Sequence, residues 1–190
     1  NLYNYNEVSL RLFEHIESIF NTSDIKKRKI AIVASTSLSI SCFLINHVNN
    51  FTKNFDVTII TKIDPIHNLE KKLHKDCKFI NLNFSRDINI PLDVIALLRL
   101  FTILLFNRYY CVLTFTPKGG LLGMITSFVS GTKYRIHWFG GQVWANKNGS
   151  IKLILKFFDK LIYFLSTNAL TECQSQKKFL EEQKIVKNDY

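Results

Sequence analysis

Apolar positions along this chain fall into short continuous runs that alternate with longer segments of helical spacing. Residues 29–35 read KIAIVAS, 55–61 read FDVTIIT, and 77–82, 110–115, 133–138 and 168–172 form four further short runs. Continuous apolar runs, rather than alternating ones, are expected of strands covered on both faces. Between them, apolar spacing predicts helices over residues 42–51, 91–107, 119–130, 150–165 and 174–182. Strand followed by helix, repeated this often, predicts an α/β fold: a Rossmann-like parallel sheet with helices on both faces.

Residues 7–20 place Val8, Leu10, Leu12, Phe13, Ile16, Ile19 and Phe20 on one broad helical face, and the charged run DIKKRK (24–29) follows. The expected division is therefore a leading helix and linker over 1–28, possibly from a preceding region, and one Rossmann-like domain over 29–190. The start carries no Met and no signal-peptide pattern, so the chain is expected to be a segment of something longer. Residues 94–106 (VIALLRLFTILLF) are the longest hydrophobic stretch and contain Arg99. A spanning helix needs about 20 apolar residues, so this stretch is expected to be buried or interfacial.

Composition narrows the function classes. A chain of 190 residues with 47% hydrophobic and 13% aromatic content can bury a full core, which sets disorder aside. Its 25 Lys and Arg against 15 Asp and Glu give a formal charge of +10, which attracts polyanions or anionic lipid surfaces. No recognised RNA or DNA module accompanies that charge, so no nucleic-acid partner is expected. Cys42, Cys77, Cys111 and Cys173 stand at wide spacings without a CxxC pair. Buried reduced thiols fit that spacing better than a disulfide framework or a zinc site. Scattered histidines form no metal-spaced pair, so neither metal nor cofactor is expected.

Candidate chemistry gathers just after the strands, the edge where open parallel sheets bind ligands. The turn 35–39 (STSLS) has no glycine; Thr36 and Ser37 could contact a ligand, or Ser39 or Ser41 could simply cap the following helix. Thr116-Pro117-Lys118-Gly119-Gly120 puts one cation, unhindered glycines and helix-start amides together. That arrangement could hold an anion or a sugar hydroxyl, or it could be a tight turn. His137 ends a strand ahead of Gly140-Gly141-Gln142 and Trp144, and reads as a ligand contact or as a core histidine. In the helix over 150–165, Ile151, Leu155, Phe158, Leu161, Ile162 and Leu165 mark a core-facing stripe, while Lys152, Lys156, Asp159 and Lys160 fall mostly off it. Neither GxGxxG nor GxxxxGK[ST] occurs, and no Gly-x-Ser-x-Gly elbow or paired-carboxylate signature supports a hydrolase.

From residue 29 to 186 the chain resembles the amino-terminal domain of family 4 glycosyltransferases of the bacterial surface-polysaccharide type. The matching segments are IAIVAS, FDVTIIT, SRDI (85–88) with PLD (91–93), TPKGGLLG, GTKYRIHWFGGQVWA and ECQSQKKFLEEQKIV. The resemblance implies the first half of a GT-B architecture, which needs no metal. It implies transfer of a sugar, with retention, from a nucleotide diphosphate sugar to a lipid-linked or saccharide acceptor in capsule, O-antigen or exopolysaccharide synthesis. In that arrangement this half carries the acceptor and a second domain beyond Tyr190 carries the donor, so the segment alone is expected to be inactive. It implies substrate contacts at Thr36, Ser37, Thr116, Lys118, Gly119, Gly120, His137, Gly140, Gly141, Gln142 and Trp144, and stacking faces at Trp138 and Trp144. The implied location is cytoplasmic, peripheral at the inner face of the cell membrane, against an anionic surface. Two positions depart from the family: Gly140 stands where members have His or Thr, and the fourth strand ends without the common His, having Leu113 and Phe115. No catalytic residue is therefore assigned. A non-catalytic glycan or lipid-glycan binding module of degenerate GT-B type is the alternative.

Overall fold

The computed structural model describes residues 14, 18, 28–85 and 89–187. The expected leading helix and linker lie, apart from Glu14, Ser18 and Arg28, outside the described residues, as do Arg86, Asp87 and Ile88 of the SRDI match. Six strands, β1 (Lys29–Ala34), β2 (Asp56–Thr61), β3 (Lys78–Asn81), β4 (Cys111–Phe115), β5 (Tyr134–Phe139) and β6 (Asn168–Thr171), form one sheet in the order β3-β2-β1-β4-β5-β6. Every pairing is parallel, with Ile32 of β1 level with Ile59 of β2 and Leu113 of β4. This is the doubly wound order expected of a Rossmann-like layer.

The two faces sort by strand parity. Ile30, Ile32 and Ala34, with Leu113, Phe115, Ile136 and Trp138, pack under the first helix, α1 (residues 37–51), through Ile40, Leu44, Val48 and Phe51. Ala31, Val33, Ile60 and Val112 face the other way, onto Ala96, Leu100 and Leu104 of α3 (Ile90–Asn107) and Leu122 of α4 (Pro117–Val129). A third cluster joins Met124, Phe139, Trp144, Ile162 and Leu180, tying α5 (Gly149–Leu165) and α6 (Gln174–Glu182) to the same side. Each fully buried aliphatic side chain contributes about 1.5 to 3 kcal/mol, and β1, sealed on both faces, carries the continuous apolar run that this demands.

The structure differs from the sequence expectations in four places. First, α1 begins at Ser37, not at 42: Ser37–Ser39 is helical, Ile40–Leu44 is a π turn and Ile45–Phe51 completes the element. Its cap is Thr36, whose Oγ1 accepts from the Ser39 amide at 3.3 Å, rather than Ser39 or Ser41. Burial of Ile40 and Leu44 draws the polar STSLS run into the helix despite its turn propensity. Second, a 3₁₀ turn (Pro65–His67) and the one-turn helix α2 (Leu69–Lys72) fill the β2–β3 crossover, and neither has a periodic signal. Third, Cys77 and Cys111 are buried free thiols, but Cys42 is exposed and Cys173 half-buried, because the π turn faces residue 42 outward. Fourth, Ile151 is exposed whereas Asp159, expected on the charged side of α5, is buried.

Two histidines are enclosed. His47 of α1 sits edge-on to Trp138 with ring centroids 5.1 Å apart, and among the described residues its Nδ1 has no hydrogen-bond partner. His137 of β5 shares a 2.7 Å hydrogen bond between Nδ1 and Thr114 Oγ1. Burial pushes the His47 imidazole down to about 4 and the His137 imidazole down to about 3. Both are neutral in the fold, while in the unfolded chain they titrate near the ordinary value of 6.5. Above pH 6.5 neither state binds the proton, so the full stability is present. Below it the unfolded chain takes up protons that the fold refuses, and stability falls until the folded values are reached. Urea midpoints should drop between pH 7.5 and pH 5, by about 2 kcal/mol per imidazole from 1.36 kcal/mol per pH unit. His47→Phe should remove about half of that slope, and a wild-type midpoint flat over this range would contradict neutral burial.

Candidate functional site

In the observed strand order the chain runs to one side after β1 and to the other after β4, so the loops leaving these two strands diverge at a switch point. Thr116 closes it. The Ser35 amide and the Ser35 hydroxyl both donate to Thr116 Oγ1, at 3.1 and 3.0 Å. Thr116 itself has φ 78° and ψ 147°, a region that a β-branched residue enters only with strain, of about 1 to 3 kcal/mol. The Ser35 bonds and the 2.7 Å bond from the Gly120 amide to the Thr116 carbonyl hold it there.

The glycines that follow let α4 approach the sheet. A β-carbon on Gly119 would lie 2.8 Å from Thr116 Oγ1 and 3.0 Å from the Ser35 amide nitrogen; one on Gly120 would lie 2.4 Å from His137 Cε1. Gly119 and Gly120 are buried in this packing. Thr36 is occupied as the α1 cap, and Ser37 Oγ bonds His67 Nδ1 at 2.9 Å and accepts from the Asp64 amide at 3.1 Å. These four expected contact residues line neither of the cavities described next.

Five others come together. A cleft of about 180 Å³ lies over the carboxyl ends of β4, β5 and β6, lined by Thr116, His137, Gly140, Gly141 and Gln142. Phe43 and Phe115 give it an apolar wall, and Asp159 and Glu172 bring carboxyl groups. The loop after β5 is pinned: Gln142 Nε2 donates to the Gly140 carbonyl at 2.7 Å, and Gln176 Nε2 of α6 donates to the same oxygen and, at 3.2 Å, to the Phe139 carbonyl. At Gly140 a β-carbon would meet nothing closer than Phe115 Cζ at 3.6 Å, so this position has room for a side chain. Neutral, buried His137 can exchange a hydrogen bond here but cannot supply a positive charge near neutral pH.

Lys118 and Trp144 belong to a second cavity, a groove of about 310 Å³ between α3, α4 and α5. Lys118 Nζ is held by Asp93 Oδ1 at 2.8 Å, Asp93 Oδ2 at 3.0 Å and Ser85 Oγ at 2.8 Å. Burial raises the Asp93 carboxyl, but the Lys118, Asn89 and Ser85 hydrogen bonds outweigh it and hold the group below its ordinary value. Trp144 is buried, stacked on Phe179 at 5.5 Å with Lys156 over its ring at 5.2 Å, and Trp138 lies between His47 and Phe115. Both indoles are buried and packed against protein side chains, Trp144 with one ring face on Phe179. Asp159 faces both cavities. Its Oδ2 accepts from Trp144 Nε1 at 2.6 Å; burial raises the carboxyl and this bond offsets part of the rise. Sequence reasoning missed it. The available signal was spacing, since Leu155 and Ile162 bracket Asp159 on the inward stripe of α5. Among the described residues, no group of three His, Cys, Asp or Glu side chains is placed to hold a metal ion.

No protein-family model matches the chain, and no curated protein matches it. Solved structures do. A Listeria monocytogenes protein described as a UDP-N-acetylglucosamine 2-epimerase superposes on 83% of this chain with a TM-score of 0.60 at 11% identity. A sucrose-phosphate synthase from Thermosynechococcus elongatus superposes on 80% with a TM-score of 0.56, also at 11% identity. This chain spans 43% of the first structure and 81% of the second. At such identity the likeness shows the fold alone, and that fold is the Rossmann-like layer of GT-B proteins.

Two glycine substitutions separate packing from open space. Gly120→Ala drives a β-carbon into the His137 ring and should lower stability by about 1 to 3 kcal/mol, the usual cost of overpacking. Gly140→Ala should stay within about 0.5 kcal/mol of wild type. Thermal or urea unfolding of both variants checks this, and equal losses would contradict the close approach of α4.

Proposed function

We propose that this chain is the acceptor-side domain of a retaining glycosyltransferase. In this reading it moves a sugar from a nucleotide diphosphate sugar to a lipid-linked or saccharide acceptor in surface-polysaccharide synthesis, with the donor held mainly by a second domain. The observation that carries the reading is a cleft over the carboxyl ends of β4 to β6, beside the switch point of a GT-B-type layer, where Thr116, His137, Gly140, Gly141 and Gln142 meet the Asp159 and Glu172 carboxyl groups. A retaining transfer develops positive charge on the sugar ring and negative charge on the departing diphosphate. Carboxyl groups of Asp159 and Glu172 suit the first and the amino end of α4 suits the second. Incubation of the full-length parent, which joins this chain to the donor-holding domain, with nucleotide diphosphate sugars and prenyl-linked or saccharide acceptors, with glycosylated product detected by mass, tests this; the isolated chain should show no transfer. Absence of transfer across such a panel, with the cleft intact, would favour the non-catalytic binding module. That second reading draws on the neutral His137 and the absent side chain at Gly140.

The proposed workplace is the inner face of the cell membrane. Ile90, Val94, Ile95, Leu98 and Phe106 of α3 and Ile151, Leu153, Ile154, Phe157 and Phe164 of α5 are exposed. Apolar surface on this scale marks an interaction face. Arg99, Lys152, Lys156 and Lys160 accompany it. α3 is long and apolar enough to cross a bilayer, yet Ala96, Leu100 and Leu104 are committed to the sheet. A helix anchored in this way lies along an interface.

Two measurements follow. The protein should co-sediment with anionic vesicles and much less with neutral ones, each basic group contributing about 1 kcal/mol near the surface. Rising salt should weaken this binding without abolishing it, because apolar side chains insert as well; equal binding to both vesicle types would contradict the proposed surface. For the turn, Lys118→Met and Asp93→Asn should each lower stability by about 1 to 2 kcal/mol, with the double variant costing less than the sum. If Lys118 also meets substrate, its variant should lose about 10- to 1,000-fold in turnover where Asp93→Asn loses far less. Equal losses that track the melting temperature would make the pair structural.

A further inference from the structure

Asp159 is a buried carboxyl group without a counter-ion. Only 8% of its surface is exposed, and Trp144 Nε1 donates to its Oδ2 at 2.6 Å. Among the described residues its Oδ1 enters no hydrogen bond or ion pair. The lysines nearest in sequence are engaged elsewhere: Lys156 Nζ bonds Gln183 Oε1 at 2.9 Å and lies over the Trp144 ring, and Lys160 lines a separate hollow beside Tyr163 and Phe164. Lys118, in the neighbouring groove, is paired with Asp93. Burial raises the Asp159 carboxyl and the Trp144 bond opposes the rise, with no contribution from a cation of the chain. A buried charge left in this way is costly, and such groups are ordinarily paired or bind a cation. Asp159 borders the cleft, which holds one more carboxyl group, Glu172, and no cationic side chain among the described residues, since the buried His137 is neutral. On a chain of formal charge +10 the cleft is therefore an acidic spot.

Resting on the acceptor-side reading above for its sugar part, we propose that the cleft takes a sugar carrying a protonated amine, with the ammonium set against Asp159 Oδ1. The rest of the lining selects this occupant. Phe43 and Phe115, tilted rings with centroids 5.9 Å apart, form an apolar wall suited to the C–H face of a pyranose ring. Thr116, Gln142 and the backbone at Gly140 and Gly141 border the same space and offer partners to ring hydroxyls. Gly140 keeps that space open. A β-carbon there would lie 3.6 Å from Phe115 Cζ and 3.9 Å from Glu172 Oε1, so a larger side chain would occupy the place of the ring. A bare metal ion finds too few ligands, because no third His, Cys, Asp or Glu joins these two carboxyl groups among the described residues. A ligand carrying a carboxylate or phosphate would instead meet like charge from Asp159 and Glu172.

Nitrogen–proton correlation spectra of the chain report on the site directly, because the Trp144 indole N–H is the group bonded to Asp159. Glucosamine, glucose, glucuronate and ethanolamine are titrated separately at mildly acid pH, where both amines are protonated. Glucosamine should shift the Trp144 indole signal saturably and bind about tenfold more tightly than glucose, the gain of a charge-assisted hydrogen bond. Glucuronate should bind more weakly than glucose, and ethanolamine, which has the amine without the ring, more weakly than glucosamine. Asp159→Asn keeps a side-chain oxygen for Trp144 and should abolish the preference for glucosamine without lowering the melting temperature. Gly140→Val should weaken glucose and glucosamine alike by about tenfold or more through steric exclusion. Glucose as tight as glucosamine, glucuronate matching either, no saturable shift of the Trp144 signal, or an Asp159→Asn protein that keeps the preference would overturn the amine site. Ethanolamine as tight as glucosamine would overturn the sugar as its occupant. The wild-type series decides the matter even where a variant fails to fold. The two readings fail separately. A parent that transfers sugar while this chain shows no preference for the amine overturns the amine site alone. Saturable, amine-selective binding with no transfer by the parent overturns the transferase reading and leaves a sugar-binding module.

Discussion

The closeness with which α4 can approach the ends of β1, β4 and β5 constrains the whole carboxyl edge of the sheet. Three helix positions, Gly119, Gly120 and Gly123, lack the β-carbons that would strike Thr116, His137 and Thr114. With those atoms absent, the helix start sits against the strands and Thr116 is forced into a strained backbone conformation that Ser35 then stabilises across the sheet. The same approach encloses His137, so its imidazole stays neutral and bonded to Thr114. Widening the gap by one methyl group would alter the floor of the cleft, the charge state of its histidine and the entry to the groove together.

Burial of polar groups follows from that packing. Inside a low-dielectric layer an unmatched donor or acceptor costs about 1 to 3 kcal/mol, and the pairs found here avoid it: Trp144 with Asp159, His137 with Thr114, Gln176 with the Gly140 carbonyl. Counterexamples exist: among the described residues Thr61 Oγ1 finds no partner, nor do Nδ1 of His47 and Nε1 of Trp138, two buried rings in edge contact. Their packing value exceeds their polar cost because they join α1 to β5 beneath the aromatic wall of Phe115 and Phe43.

How legible each part was depends on whether its signal is local. The four inner strands were legible because both sheet faces are covered there, which writes continuous apolar runs such as IAIVA into the sequence, whereas the edge strands β3 and β6 are only partly buried. α3 to α6 were legible from apolar periodicity. The start of α1 was not, because STSLS has turn propensity and only the burial of Ile40 and Leu44 makes it helical. The candidate site was half legible. Polar and glycine residues after β4 and β5 marked the edge at which the cleft opens, and Thr116, His137, Gly140, Gly141 and Gln142 line it together. The division of Lys118 and Trp144 into a neighbouring groove, and the inward turn of Asp159, depend on helix-to-helix packing that no window of sequence contains.

Exposed apolar residues on α3 and α5 give the molecule a direction. A helix that needed only to cover the sheet would spend its outer positions on charge, as the outer face of α6 does with Lys178 and Glu182. In α3 the outer positions hold Ile95, Leu98 and Phe106 instead, with Arg99 among them. Such a surface is costly in water and favourable in an apolar interface, and it lies on the same side of the sheet as the groove. Asp159 is therefore placed where an apolar environment gives way to a polar one. There burial raises its carboxyl and the Trp144 indole partly opposes the rise, so a hydroxyl arriving from the cleft would meet a carboxyl group whose basicity exceeds that of an exposed aspartate.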